Sequence, residues 1–99
     1  MIPRQIAFHP AAIEEGVEAA RWYRLRSRRA AQRFVREITQ ALDRIADAPE
    51  RWPAGPQGTR KVLIPCFPFL IIYRDSRDAV QILAIAHARR RPDYWKQRL

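Results

Sequence analysis

The sequence predicts an α+β fold in which a hairpin of two helices covers one face of a curved, antiparallel-type sheet. Three observations predict it. Apolar residues recur at helical spacing over residues 10–26 and again over 27–49. Three runs rich in β-branched and aromatic residues follow at 60–64, 69–75 and 79–87, and a segment dense in Pro and Gly separates the two regions. The element order is β-α-α-β-β-β with a basic tail.

Taken in order, Arg4–His9 alternates with Ile6 and Phe8 on one side, which reads as a brief strand. Pro10 then suits the first turn of a helix. From Pro10 to about Arg26, the positions Ile13, Gly16, Val17, Ala20 and Tyr23 lie three or four apart. Glu14, Glu15 and Glu18 fall in the first half and Arg21, Arg24 and Arg26 near the end, which complements the helix dipole. Ser27 is the natural cap of the next helix. There Ala31, Phe34, Val35, Ile38, Ala41, Leu42 and Ile45 form the apolar stripe, Arg33, Arg36, Glu37, Gln40, Asp43 and Arg44 take the other side, and Pro49 ends it. So short a link makes the pair an antiparallel hairpin.

The segment ERWPAGPQGT, residues 50–59, holds two Pro and two of the three Gly and reads as a loop. The strands Arg60–Ile64, Phe69–Asp75 and Ala79–His87 come next, the last two pairing as an antiparallel hairpin around DSRD. In the last strand, strict alternation puts Val80, Ile82, Ala84 and Ala86 on one face and Gln81, Leu83, Ile85 and His87 on the other. Its middle is apolar on both sides, which marks an interior strand.

Ninety-nine residues make one domain, residues 1–99, that buries roughly 65% of its unfolded surface. With 47% hydrophobic residues the chain has material for a core, and general disorder is excluded. The formal net charge is +9, and of the 19 basic residues all but Lys61 and Lys96 are arginine. Arginine's planar fork of donors favours a polyanion or an acidic protein as partner. The lone Cys66 forms no internal disulfide and makes no zinc site by itself, so a reducing compartment is natural. The longest apolar run, FPFLIIY, is far short of the ~20 residues of a membrane span, and the N-terminal residues lack the apolar core of a signal peptide. A soluble, cytoplasmic protein is expected.

The residues that carry chemistry concentrate in the ending IAHARRRPDYWKQRL. Arg89, Arg90, Arg91, Lys96 and Arg98 stand there against Asp93 alone, a cluster that binds phosphate or carboxylate or else is a solvated terminal run. His87 is either a general acid/base or a structural hydrogen-bonder. Tyr94 is placed to donate a proton or stack on a base; the alternative is that Tyr94 and Trp95 fold the tail back and cap the core. Seven arginines from Arg21 to Arg36, with no acidic residue among them, bracket the helix–helix turn as a contact for nucleic acid or acidic protein, or as a solvated face. Arg60, Lys61 and Arg74 are expected to join the tail arginines over one sheet face. Glu14, Glu15 and Glu18 read as a helix-start pattern, not a catalytic carboxylate pair. No metal triad, Gly-rich phosphate loop or Ser-His-Asp set is visible, and no cofactor is expected.

FHPAAIEEGVEAARWY, RFVREITQALDRIADAPERWP, FPFLIIYR and ILAIAHARRRPDYW together resemble the RelE/ParE superfamily of toxins from type II toxin–antitoxin systems, close to the plasmid-stabilisation, ParE-like branch. The resemblance spans almost the whole chain. It implies a toxin held inactive by a cognate antitoxin, ParD-like or similar, whose acidic C-terminal segment wraps around it in a hetero-oligomer. It further implies action on DNA gyrase, as ParE-like toxins have; the alternatives are ribosome-dependent cleavage of mRNA, as in the RelE branch, or a decayed, nontoxic binding module. Antitoxin or target contacts are then expected at Trp22, Tyr23, Arg60, Arg89, Arg90, Arg91 and Trp95. For the RelE-like alternative, a metal-free catalytic set of His87, Arg89, Tyr94, Arg74 and Lys61 is expected.

Overall fold

The computed structural model describes residues 3–99. The elements are β1 (Ile6–Phe8), α1 (Pro10–Arg24), α2 (Arg28–Asp47), β2 (Thr59–Leu63), β3 (Phe69–Asp75) and β4 (Val80–His87), with single 3-10 turns at Pro49–Arg51, Pro56–Gly58 and Lys96–Arg98. Both helix starts are capped by side chains. His9 Nδ1 accepts from the Ala11 N–H at 3.1 Å, and Ser27 Oγ accepts from the Ala30 N–H at 3.1 Å, so Ser27 divides the two helices as its residue type requires.

The sheet order is β1-β4-β3-β2. Strand β4 is interior, in keeping with its burial on both faces. The sheet is mixed, not purely antiparallel: β1 lies parallel to β4, with Ile6 opposite Val80 and Phe8 opposite Ile82, while β2–β3 and β3–β4 are antiparallel. The direction follows from connectivity. The helical hairpin brings the chain back to start β2 along the direction of β1, and two reversals then leave β4 pointing the same way.

Strict alternation in β4 also fails, for a local reason. Ile72 pairs with Ala84 but Tyr73 pairs with Ile82, so Leu83 is an extra residue at a bulge. Beyond it the faces exchange. Val80, Ile82 and Ile85 belong with the helix-side core, and Leu83, Ala84 and Ala86 lie on the other side.

The helix-side core joins Ala12, Ala19, Phe34, Ala41 and Ile45 to Val62, Ile64, Phe69, Ile71 and Tyr73 of the sheet. Gly16 lets α1 sit close to β4, since a Cβ there would stand 3.1 Å from Ile85 Cδ1. Near the helix–helix turn, Tyr23, Phe34, Phe67 and Phe69 form an aromatic knot with paired ring centroids 5.0–6.4 Å apart. The loop after α2 is pinned by Tyr73, whose hydroxyl donates to the Pro49 carbonyl at 2.5 Å, and by Arg60, which donates to the Trp52 carbonyl. The opposite face of the sheet is covered by the tail: Trp95, only 3% exposed, packs with Leu99 on Ile72, Leu83, Ala84 and Ala86. No helix among the described residues is long and apolar enough to cross a membrane.

Candidate functional site

Strand β1 is too short to cover β4. Its pairing ends at Ile82, whose carbonyl accepts the His9 N–H at 2.9 Å, and Pro10 then turns the chain into α1. The rest of β4 has no strand beside it on that edge, and α1, which crosses close to β4 at Gly16, flanks it instead. The result is a groove of about 660 Å³ between α1, the end of β4 and the returning tail. Its floor is apolar, with Ala19, Phe69 and Ile85, and Trp22 and Tyr23 wall one end. Glu14 and Glu18 line it from α1, and His87, Arg90 and Tyr94 from the strand end and tail.

The exposed edge of β4 would leave backbone groups unpaired in a part-buried place, and side chains satisfy them. Glu15 accepts from the Ile85 N–H at 3.0 Å, from the Tyr94 hydroxyl at 2.6 Å, and from both Arg98 Nη atoms at 2.9 and 3.0 Å. Arg98 Nη1 also donates to the Leu83 carbonyl at 2.9 Å. One carboxylate and one guanidinium thus fasten α1, β4 and the tail together.

The electrostatics follow. Burial pushes the Glu15 carboxyl up, but the hydrogen bonds from Arg98, Tyr94 and the Ile85 N–H outweigh it and hold the group below its ordinary value. The Tyr94 phenol is pushed up to about 12, first by burial and then by its hydrogen bond to the Glu15 carboxylate. Arg98 rises above its ordinary value through its bonds to Glu15, against the opposing effect of burial. Tyr94 therefore stays a neutral donor committed to Glu15 and is poorly suited to act as a base.

Of the residues expected from the sequence, Trp22, Tyr23, His87, Arg90 and Tyr94 meet at the groove. His87 stacks edge-on against Phe69 with centroids 5.1 Å apart, and its Nδ1 accepts the Arg89 N–H at 3.0 Å. Arg90 lies over the Tyr94 ring at 3.9 Å, and Arg89 and Arg91 are exposed on the turn that leads into the tail.

The basic residues of the sheet are not gathered on one face. Arg60 shares the helix-side face with the inward Val62 and is spent on the loop carbonyls of Trp52 and Glu50. Lys61 and Arg74 face the tail side, Lys61 standing 6.0 Å from the Trp95 ring and Arg74 bonding Gln81 at 3.4 Å. The bulge puts His87 on the helix side, with the sheet between it and those two cations. The set His87, Arg89, Tyr94, Arg74 and Lys61 is therefore not assembled in one site. Trp95 is likewise a core residue of the tail and offers no contact surface.

Sequence reasoning missed Glu15 and Arg98. The signal was present in the periodicity: Ala12, Glu15, Gly16 and Ala19 fall on one helical face, so a carboxylate was being carried toward the sheet and needed a cation there.

Residues 6–92 match the family model described as the ParE toxin of the type II toxin–antitoxin system parDE. The chain is 38% identical over 69 residues to a Sinorhizobium fredii protein named "Putative toxin Y4kP", covering 69% of this chain and 68% of that one. It is also similar in fold to a chain of the chromosomal ParDE system from P. aeruginosa. That likeness has a TM-score of 0.73 at 17% identity and covers 85% of this chain and 95% of the other.

Proposed function

As the chain belongs to the family of ParE toxins of type II toxin–antitoxin systems, we propose that it is the toxin of such a module, acting in the cytoplasm on DNA gyrase and neutralised by a cognate ParD-like antitoxin. The antitoxin's C-terminal segment orders itself along the groove between α1 and the end of β4. Apolar side chains of that segment meet Phe69, Ile85 and Trp22, its acidic ones meet Arg90 and Arg91, and the ordering cost is offset by the wide contact. A formal charge of +9 speeds the encounter with an acidic segment.

One observation carries the choice of gyrase over RNA cleavage. The sheet separates His87 from Lys61 and Arg74, and the Tyr94 phenol is committed to Glu15, so of the set His87, Arg89, Tyr94, Arg74 and Lys61 no two cations meet a free proton-accepting group, and Arg90 alone shares the groove with His87. A protein that acts by holding its target needs no such convergence.

The test is direct. Purified protein is incubated with gyrase and supercoiled DNA, and in parallel with a translation reaction. Accumulated gyrase–DNA cleavage complexes with intact mRNA are expected. Unaffected gyrase at saturating protein together with cut mRNA would replace this reading with the nuclease one, and normal growth on induction without antitoxin would mark a decayed toxin.

A further inference from the structure

The groove uses one flank of α1, and the other flank is also open. On the outer side of the helical hairpin, Ala20 and Arg24 of α1 face Arg28, Ala31, Gln32 and Val35 of α2 around a second hollow of about 450 Å³. Ile13 and Val17 continue the same stripe of α1 toward its start at helical spacing. They are 52% and 59% exposed, and Val35 opposite is 51% exposed, so the hairpin presents aliphatic side chains to water.

The two charged residues that line this hollow, Arg24 and Arg28, are both cationic. Seven arginines lie between Arg21 and Arg36 with no acidic residue among them. Among the described residues none of the seven has a carboxylate partner; the ion pairs formed are Arg4–Asp75, Arg51–Asp47, Lys96–Asp93 and Arg98–Glu15. Arg26 instead stacks on Trp22 at 3.7 Å, and Arg33 points at Cys66 Sγ. Arg24 and Arg28, at the mouth of the hollow, are exposed and free of either arrangement.

We propose that the outer face of the α1–α2 hairpin is a second docking surface, separate from the groove, and that its occupant is an acidic amphipathic helix of a partner protein. Two features select that occupant. Uncompensated arginines call for carboxylates, and the aliphatic strip Ile13–Val17–Val35 calls for an apolar stripe between them. A nucleic acid would meet the arginines but leave the aliphatic strip uncovered, and a second copy would bring two arginine fields face to face. Because the two surfaces lie on opposite flanks of α1, both can be filled at once, which suits a protein with one partner that restrains it and another on which it acts.

The probe is a synthetic helix of about four turns with leucine at i, i+3, i+4 and i+7 and glutamate elsewhere, titrated into the isotopically labelled full chain. Amide shifts are expected to cluster at Val17, Ala20, Arg24, Ala31 and Val35, and a scrambled peptide of equal charge should bind at least about tenfold more weakly. Arg24→Glu with Arg28→Glu, and separately Val17→Ser with Val35→Ser, should each weaken the helix about tenfold. Circular dichroism would verify that these exposed substitutions leave the fold intact, and the wild-type shift map stands without them. Equal binding of the scrambled peptide would overturn the proposal, as would shifts confined to the Trp22–His87 groove. Tighter binding of duplex DNA on the same face would assign it to nucleic acid, and a concentration-dependent dimer through it would assign it to a second copy; either overturns the acidic helix.

Discussion

Replacing Glu15 by alanine tests whether the carboxylate fastens the tail. The substitution removes four hydrogen bonds, to the Ile85 N–H, the Tyr94 hydroxyl and both Arg98 Nη atoms, and leaves Arg98 without its counter-charge. Breaking a fully buried pair by deleting one partner costs about 3–5 kcal/mol. Here the Arg98 and Glu15 side chains keep 12% and 16% of their exposure, so water recovers part of that and a loss of about 2–3 kcal/mol is expected. For a domain of this length that is a fall in Tm of about 10–20 °C. Urea denaturation followed by tryptophan fluorescence gives the free energy, and Trp95 reports tail release. Glu15→Ala, Arg98→Met and the double variant complete a cycle, in which the coupling should be at least about 1 kcal/mol. A loss under about 0.5 kcal/mol for Glu15→Ala, with Trp95 still shielded, would refute the reasoning, because the bonds would then be geometry without energy.

The same group sets a pH dependence. Glu15 is held below its ordinary value of 4.5 in the folded chain, so its contribution is complete above that value and is lost as pH falls through the lower folded value; urea midpoints from neutrality to about pH 3 should drop more steeply in the wild type than in Glu15→Gln. Trp95→Ala, which empties a buried site, should cost about 3–5 kcal/mol in urea denaturation yet leave the antitoxin affinity of the folded protein unchanged by calorimetry. Trp22→Ala should do the reverse, with stability held within about 1 kcal/mol and groove affinity weakened by about 2 kcal/mol. Tyr73→Phe removes the buried bond to the Pro49 carbonyl and should cost about 1–2 kcal/mol, with faster proteolysis of the loop at residues 50–58.

The helical hairpin was legible because α2 repeats its apolar stripe so regularly and because Ser27 is a residue that caps. The interior position of β4 was legible for a different reason, since only a strand covered on both faces tolerates Leu83, Ala84 and Ile85 in succession. What escaped depends on pairings between distant segments. The bulge at Leu83 is a matter of register with Ile72 and Tyr73, and no local pattern announces it. It decides which side of the sheet His87 takes and hence separates it from Lys61 and Arg74. Glu15 escaped because acidic residues early in a helix already have a sufficient local explanation in the dipole. The hold of Arg60 on the loop escaped because a cation at the start of a strand, expected to join the tail arginines as a contact, gives no local sign of the carbonyls it reaches.

Since β1 pairs only with the first half of β4, the second half is a bare strand margin, the kind of template on which protein chains stack into insoluble assemblies. Glu15 and Arg98 occupy two of its backbone positions with charged side chains. Charged side chains at those positions are expected to keep another chain from adding a strand there. Turbidity and thioflavin fluorescence should rise in Glu15→Ala solutions before any loss of helix is seen, making solubility as much a product of this ion pair as stability.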